Sequence, residues 1–333
     1  MNKPRITVLG AGSIGCYLGG RMMQGGAAVT LLGRERLAKV MAQKGLTLSA
    51  HGRATIHLDE VDFASDPVAL AGSDIVALCV KSQDTADAAA LIRQHAPTAW
   101  IVSFQNGISN LATLRDGVPD AVIGGAVVPF NVTSPGPGRF HRGTDGGLVI
   151  GPGAPEIVSG ALRAAGVGVR IVDDIDAYLW AKLLVNLNNA LNALSGGPLR
   201  DGLLQRGYRR VLIAMIEEGL AVAAAEDVDV ATFNGRHPKT LIRLMARPDW
   251  LYRIVMDRIA KIDRTARSSM LDDLEAGRGP ELDYLQGEIV RRAEAHGIGA
   301  PVNRAVMCAT QDAFAQRKTP RLSGADMERL FLS

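Results

Sequence analysis

Three polar side chains lie on one apolar stretch of the chain, between residues 180 and 193, and their spacing suits acid–base chemistry. Lys182, Asn186 and Asn189 are four and three residues apart, so on a helix they fall within about 60° of one another. Asn188 falls about 120° away from Lys182. Because unpartnered polar groups are costly to bury, this face should meet water, a ligand or another polar surface.

An ammonium on such a face can act as a general acid. Hydride attack on a ketone builds alkoxide charge, and a positioned ammonium stabilises that charge and supplies the proton. The pKa of lysine can be tuned by burial and by neighbouring carboxylates, whereas that of arginine cannot. The pattern predicts a catalytic role for Lys182. A helix whose asparagines cap neighbouring loops is the structural alternative.

Three glycines directly follow a short apolar run, residues 5–9, near the start of the sequence. In a dinucleotide-binding turn the first glycine permits a tight bend, the second lets the backbone approach a pyrophosphate, and the third lets helix and strand pack closely. The pyrophosphate would bind N–H groups at the positive end of the helix predicted at 13–23. The cofactor-binding residues predicted at this turn are Gly10, Gly12, Ser13, Ile14 and Gly15.

The end of the next predicted strand, 28–32, indicates which dinucleotide binds. An NAD enzyme usually ends this strand with an acidic residue that binds the ribose 2′-hydroxyl. Here Arg34 follows the strand, and its guanidinium can hold a 2′-phosphate bidentately, with Arg36 assisting. The sequence therefore predicts NADPH. The alternative is that both arginines are solvated and Glu35 is the ribose acid.

Strands and helices alternate over the first half of the chain, which predicts an α/β fold with a Rossmann-type doubly wound sheet. Further strands are predicted at 74–80, 100–104, 122–128, 148–150 and 169–172, with a helix at 85–95 and a turn at 135–138 between late strands. Only helices are predicted afterwards, at 179–194, 205–226, 240–246, 250–269 and 281–296. We therefore expect a dinucleotide-binding Rossmann domain at 1–173 and an all-helical, substrate-binding C-terminal domain at 174–333.

Polar residues at the strand ends belong to the same expected site. In two-domain dehydrogenases the substrate lies between the cofactor and the second domain, outside the carboxyl ends of the strands. Lys81 directly follows the strand predicted at 74–80, and Asn106 follows the strand predicted at 100–104. Both residues are therefore candidates to contact the cofactor or the substrate.

Composition excludes several other classes of protein. The chain has 333 residues, of which 47% are hydrophobic and 21% charged, and a formal net charge of +3, with no basic run interleaved with aromatics to suggest nucleic acid. No apolar run reaches the ~18 residues of a membrane span, and no signal peptide is expected. Cys16, Cys79 and Cys308 are widely spaced and predict buried thiols of a reducing cytoplasm, not metal ligands. The sequence leaves monomer and homodimer open.

Taken together, these motifs resemble the ketopantoate reductase (2-dehydropantoate 2-reductase) family. The resemblance is colinear over nearly the whole chain and is carried by 10–15, Arg34, 80–81, 106–107, 180–186, 268–271, 281–287 and 292–303. It implies NADPH-dependent reduction of a small anionic 2-keto acid, 2-dehydropantoate, to pantoate in pantothenate biosynthesis.

The resemblance also implies roles for individual residues. Lys182 matches the lysine that protonates the keto oxygen, and Glu281 matches the carboxylate that supports substrate and lysine. A structural salt bridge between these two is the alternative for Lys182. Asn106 matches the residue that holds the nicotinamide ribose and the substrate, and Lys81 lies near the cofactor. Asn186 and Ser269 match residues that bind the hydroxyl and carboxylate ends of the substrate.

Three departures from the family pattern leave the identity of the 2-keto acid open. Ala190 stands where the family commonly has a second asparagine, so Asn189 becomes the candidate for that contact. Pro280 precedes Glu281, and the segment 236–267 looks longer than in the simplest family members. This segment carries nine Lys/Arg against three Asp, either as a solvated helical face or as a funnel for anions. The alternatives are a reductase of another small 2-keto acid and a non-catalytic NADPH-binding regulator. The lysine, glutamate and Asn106 argue against a regulator, which needs none of them.

Overall fold

The computed structural model describes residues 3–233, 235–258 and 266–333. The chain divides into two compact units, Met1–Ile175 and Asp176–Ser333. The first unit is built around a sheet and the second is built from helices.

An eight-stranded sheet forms the centre of the first unit, in the order β12-β11-β8-β7-β6-β1-β2-β5. Every pairing in it is parallel except that of β8 with β11. The strands of the unit are β1 (Arg5–Leu9), β2 (Ala28–Leu32), β3 (Leu46–Ala50), β4 (Ile56–Leu58), β5 (Phe63–Ala64), β6 (Ile75–Leu78), β7 (Trp100–Ser103), β8 (Ile123–Val127), β9 (Val132–Gly136), β10 (Arg139–Arg142), β11 (Leu148–Ile150) and β12 (Val169–Ile171). The predicted Rossmann-type sheet is confirmed.

Helices cover both faces of this sheet because its central strands are apolar on both sides. Alternate residues of β6 enter different cores: Ile75 and Ala77 belong to one buried cluster, and Val76 and Leu78 to another. The helices of this unit are α1 (Ser13–Gln24), α2 (Glu35–Lys44), α3 (Thr85–His95), α4 (Asn110–Gly117) and α5 (Glu156–Ala164).

A second sheet of four strands, in the order β4-β3-β10-β9, was not predicted. Its strands are short, and β3 pairs in parallel with β10, which lies some ninety residues further along the chain. The predicted turn at 135–138 does lie between strands, but Pro135 and Gly136 themselves belong to β9. A proline is tolerated there because β9 is an edge strand.

The second unit contains ten helices among its described residues, which confirms a helical C-terminal domain. They are α6 (Asp176–Asn186), α7 (Asn188–Ser195), α8 (Leu199–Leu204), α9 (Arg206–Ala225), α10 (Pro238–Met245), α11 (Asp249–Arg258), α12 (Ser269–Glu275), α13 (Gln286–Ala295), α14 (Pro301–Ala315) and α15 (Gly324–Phe331).

Three predicted helix boundaries are wrong. The helix predicted at 179–194 is interrupted at Leu187. The helix predicted at 250–269 does not reach its end: 259–265 lie outside the described residues, 266–268 are not helical, and α12 begins at Ser269. The helix predicted at 281–296 begins only at Gln286, after a 3-10 turn at Leu282–Tyr284.

Two further properties bear on the class of protein. Cys16 is buried, but Cys79 is half-buried and Cys308 is exposed, so the prediction of three buried thiols is wrong for Cys308, on α14. Among the helices that the structure describes, none combines the length and the apolar character needed to cross a bilayer.

Candidate active site

The glycine loop between β1 and α1 has the geometry of a tight turn with one open position. Gly10 has φ +100°, and a Cβ atom there would lie 2.5 Å from the backbone nitrogen of Val80. At Gly15 a Cβ would lie 2.2 Å from the Gly10 carbonyl oxygen, because helix and strand touch there. A Cβ at Gly12 would meet nothing within 4 Å. The loop thus requires glycine at 10 and 15 and leaves the backbone at 12 open to a ligand.

The start of α1 offers donors for an anion. Ser13 and Ile14 are its first two residues, and no described side chain caps the helix, so the first-turn N–H groups lack intrahelical acceptors. The Leu32 carbonyl oxygen, at the end of β2, accepts bonds from the Gly10 and Ala11 N–H groups at 3.1 and 2.9 Å. These bonds fix the loop against β2. The arrangement fits a pyrophosphate.

Arg34 lies next to this loop. The preceding Gly33 packs on the loop so closely that a Cβ there would lie 2.7 Å from the Cβ of Ala11. The Arg34 side chain is exposed, whereas Glu35 forms an ion pair with Lys39, one turn along α2, at 2.8 Å. The Arg34 side chain therefore lies where a 2′-phosphate is expected, whereas Glu35 is paired within α2.

Lys81 and Asn106 come together at the carboxyl ends of β6 and β7. Both are partly buried. Lys81 precedes the 3-10 turn at Ser82–Asp84, whose Ser82 hydroxyl donates to the Asn106 carbonyl oxygen at 2.9 Å. The Asn110 amide donates to the same oxygen. Lys81 and Asn106 therefore follow adjacent strands, at the same end of the sheet.

A buried polar network holds this edge, and the sequence analysis missed its members. The Gln105 amide donates to the Thr85 hydroxyl at 2.8 Å and to the Val80 carbonyl oxygen at 3.2 Å. Thr85 in turn bonds Asn110 at 2.9 Å. The signal was present in the sequence, since Gln105 directly follows an apolar strand. Because buried polar groups keep their hydrogen-bond partners, this network holds the segments of Lys81 and Asn106 together.

In the second unit, Lys182 lies on α6 and is partly buried. Its Nζ atom lies 5.9 Å from the ring centroid of Phe233, and burial lowers the pKa of the ammonium from 10.5 to about 8. Phe233 exchanges two backbone hydrogen bonds with Arg236, each 3.0 Å. The sequence analysis did not identify this phenylalanine, because nothing in the local pattern relates it to a lysine fifty residues away.

The asparagines after Lys182 have different environments. Asn186 is buried at the end of α6, and Asn189 is partly buried near the start of α7. The amide oxygen of Asn188 accepts a bond from the Tyr208 hydroxyl at 2.7 Å. Ala190 is fully buried, so the position of the family's second asparagine is part of the core. The leucines of this stretch at 184, 187, 191 and 194 are all buried.

Two adjacent serines also have different roles. Ser268 is 2% exposed, and its hydroxyl accepts from the Leu271 N–H and donates to the Asn189 carbonyl oxygen, both at 3.2 Å. Ser269, the predicted substrate-binding serine, is exposed at the start of α12. Glu281 is partly buried just before the 3-10 turn at Leu282–Tyr284.

The basic segment 236–267 is partly outside the described residues, at 259–265. Some of its charge is compensated in the part that the structure describes. Arg267 pairs with Asp272 at 3.2 Å and with Glu275 at 2.5 Å.

A parallel sheet with an open glycine loop, joined in sequence to a helical unit that carries a buried lysine, defines a Rossmann-type oxidoreductase. Family models described as ketopantoate reductase PanE/ApbA and its C-terminal domain match residues 6–155 and 174–312. The chain belongs to the ketopantoate reductase family.

Individual relatives agree with this placement. The chain is 32% identical to the 2-dehydropantoate 2-reductase of Halobacterium salinarum over 315 residues, which cover 90% of this chain and 95% of that protein. A PanE/ApbA family ketopantoate reductase from Ralstonia eutropha JMP134 has a similar crystal structure, with a TM-score of 0.79 and 33% identity over 94% of this chain and 99% of that one. D-mandelate dehydrogenase with NADH and anilino(oxo)acetate shares the fold, with a TM-score of 0.74 at 18% identity over 94% of this chain and 99% of that one.

Proposed function

We propose that this protein reduces 2-dehydropantoate to pantoate with NADPH, and that Lys182 is the general acid. The observation that carries the proposal is a lysine, matched to the family's catalytic one, whose burial lowers its pKa to about 8. Relatives named 2-dehydropantoate 2-reductase support the substrate. The exposed Arg34 beside the glycine loop supports NADPH over NADH. In this proposal the protein is a cytoplasmic biosynthetic enzyme that acts on a small anionic keto acid.

The residues of the chain divide the work of this reaction. Gly10, Gly12, Ser13, Ile14, Gly15 and Arg34 would hold the cofactor, whose reduced nicotinamide would supply the hydride. Lys182 hydrogen-bonds the keto oxygen and protonates it as negative charge develops. An acid with a pKa near 8 is still mostly protonated at neutral pH, yet it releases its proton far more readily than an ordinary lysine.

The remaining polar residues bind and orient the substrate in this proposal. Glu281 supports Lys182 and the substrate. Asn186 and Ser269 bind its hydroxyl and carboxylate ends, and Asn189 replaces the asparagine that Ala190 cannot supply. Lys81 and Asn106 act on the side of the nicotinamide ribose.

The test is a pair of substitutions at the lysine. Lys182→Ala should lower kcat by about 10²–10⁴, the usual contribution of a positioned acid, while NADPH binding stays nearly intact. Lys182→Arg should recover little activity, because arginine keeps the charge but does not release a proton near neutral pH. Lys318→Ala, at an exposed lysine just after α14, is the matched control. Near-normal turnover by Lys182→Arg would exclude Lys182 as the proton donor.

A reductase of another small 2-keto acid is the second candidate, and the buried Ala190 favours it. A missing amide in the substrate site changes which hydroxyl or carboxylate can be held. Comparing kcat/KM for 2-dehydropantoate with that for a panel of other 2-keto acids separates the two. A higher kcat/KM for another 2-keto acid would leave the proposed mechanism in place and replace the proposed substrate.

A further inference from the structure

Asparagines at 186, 188 and 189, which are poor helix formers, flank the break between α6 and α7. Leu187 interrupts the two helices with φ −54° and ψ −29°, which are helical values. Neither proline nor glycine occurs nearby, and leucine is a good helix former. The Gln286 amide reaches this break, because its Nε2 atom donates to the Leu187 carbonyl oxygen at 2.9 Å.

Gln286 occupies a particular place relative to the proposed catalytic groups. It is fully buried and is the first residue of α13, five residues after Glu281. Leu187 directly follows Asn186 and lies five residues after Lys182. A buried hydrogen bond therefore joins the chain segment of the lysine to the chain segment of the glutamate.

Stability alone does not account for an amide at this position. The Oε1 atom of Gln286 is buried and has no hydrogen-bond partner among the described residues. A buried acceptor without a partner carries a desolvation cost, and an apolar side chain of the same volume would pack helices together without it. What the amide adds is direction, because its N–H donor fixes the Leu187 carbonyl between α6 and α7.

We propose that Gln286 is a positioning residue, which sets the geometry of Lys182 and Asn186 against Glu281 by holding the helix break at Leu187. The inference rests on the proposed function. It assigns Gln286 no contact with substrate or cofactor.

The chain contains a matched control for this residue. Asn303 is also fully buried, its Nδ2 atom donates to the Met215 carbonyl oxygen at 3.0 Å and to Glu218 at 2.7 Å, and its Oδ1 atom lacks a partner among the described residues. It connects α14 to α9 and belongs to neither proposed catalytic segment. Loss of this amide reports the cost of a buried amide without the proposed positioning.

The experiment compares Gln286→Met with Asn303→Leu in the full-length protein. The melting temperature of each variant is measured beside its kcat, so that a loss of stability is distinguished from a loss of rate. Only Gln286→Met should lower kcat, by about 10- to 100-fold, because small misplacements of reacting groups cost rates of this size. The dissociation constant for NADPH should stay within about twofold of the wild type. A kcat of Gln286→Met within about twofold of the wild type, or an equal loss in Asn303→Leu, would overturn the proposal.

A conservative variant keeps the test decisive if Gln286→Met does not fold. Gln286→Glu has nearly the same shape but can donate to a carbonyl only when protonated. Its kcat relative to the wild type should therefore rise as the pH is lowered, and a constant ratio would contradict the proposal. Wild-type turnover of 2-dehydropantoate reports on the proposed function by itself. The variant-to-wild-type ratio, measured with whichever 2-keto acid reacts fastest, reports on Gln286.

Discussion

Truncating Phe233 to alanine should move the pH dependence of the reduction to higher pH. The ring lies over the Lys182 ammonium, 5.9 Å from centroid to Nζ, and is itself only 6% exposed. It contributes to the burial that lowers the pKa of this lysine. Alanine would admit water to the ammonium, and hydration favours the charged form.

The size of the effect follows from the pKa. The fall from 10.5 to about 8 corresponds to about 3 kcal/mol, at about 1.4 kcal/mol for each pH unit. If the ring accounts for a third to a half of the desolvation, Phe233→Ala raises the pKa by about one pH unit. The cation–π attraction acts in the opposite sense, at about 0.5–1 kcal/mol, because it favours the charged ammonium. The net shift is therefore upward but smaller than the full return to 10.5.

The assay is kcat for keto-acid reduction, followed by loss of the reduced nicotinamide from about pH 6 to about pH 10. The wild-type rate should fall above about pH 8, where the acid loses its proton. Phe233→Leu is the control, because it keeps an apolar cover but removes the π system. The alkaline limb of the Phe233→Leu pH profile should stay in place or move to slightly lower pH. If Phe233→Ala lowers kcat without moving the alkaline limb, the ring does not set the acidity of Lys182.

Three more predictions concern the cofactor, the substrate and stability. Arg34→Ala should weaken binding of NADPH about ten- to a hundredfold and leave NADH nearly unchanged in fluorescence titrations, since a charge-assisted pair contributes about 1.5–3 kcal/mol; equal losses would make Arg34 structural. Ser269→Ala should raise KM for the keto acid with little change in melting temperature. Ser268→Ala should instead lower the melting temperature, because loss of its helix cap costs about 1 kcal/mol of stability. The reverse pattern would assign the substrate contact to Ser268. Lys182→Met should raise the free energy of unfolding at pH 7 by up to about 3 kcal/mol. The pKa of Lys182 is lower in the folded protein than in the unfolded chain, so its buried charge destabilises the folded state below about pH 8. This advantage should shrink as pH rises from about 8 to 10.5, and a constant difference in denaturant titrations would show that the charge is not its source.

The sequence alone determined the elements whose signals are local. The glycine turn at Gly10 and the helix Thr85–His95 follow from residue types within a dozen positions, because a positive φ and a helical apolar period are short-range properties. The alternation of strand-like and helical stretches over the first half of the chain likewise predicted a doubly wound sheet. The order of motifs along the chain was also sufficient to predict the ketopantoate reductase family.

Only the tertiary structure decided the features that join distant segments. The pairing of β3 with β10 depends on a partner about ninety residues away, and short strands carry too few residues for a reliable period. The same holds for Phe233 over Lys182 and for the break at Leu187, whose carbonyl oxygen accepts a hydrogen bond from Gln286, 99 residues further along. An uninterrupted helix was predicted there because helix propensity and apolar period report only on neighbours, while a buried hydrogen bond from another helix can override both.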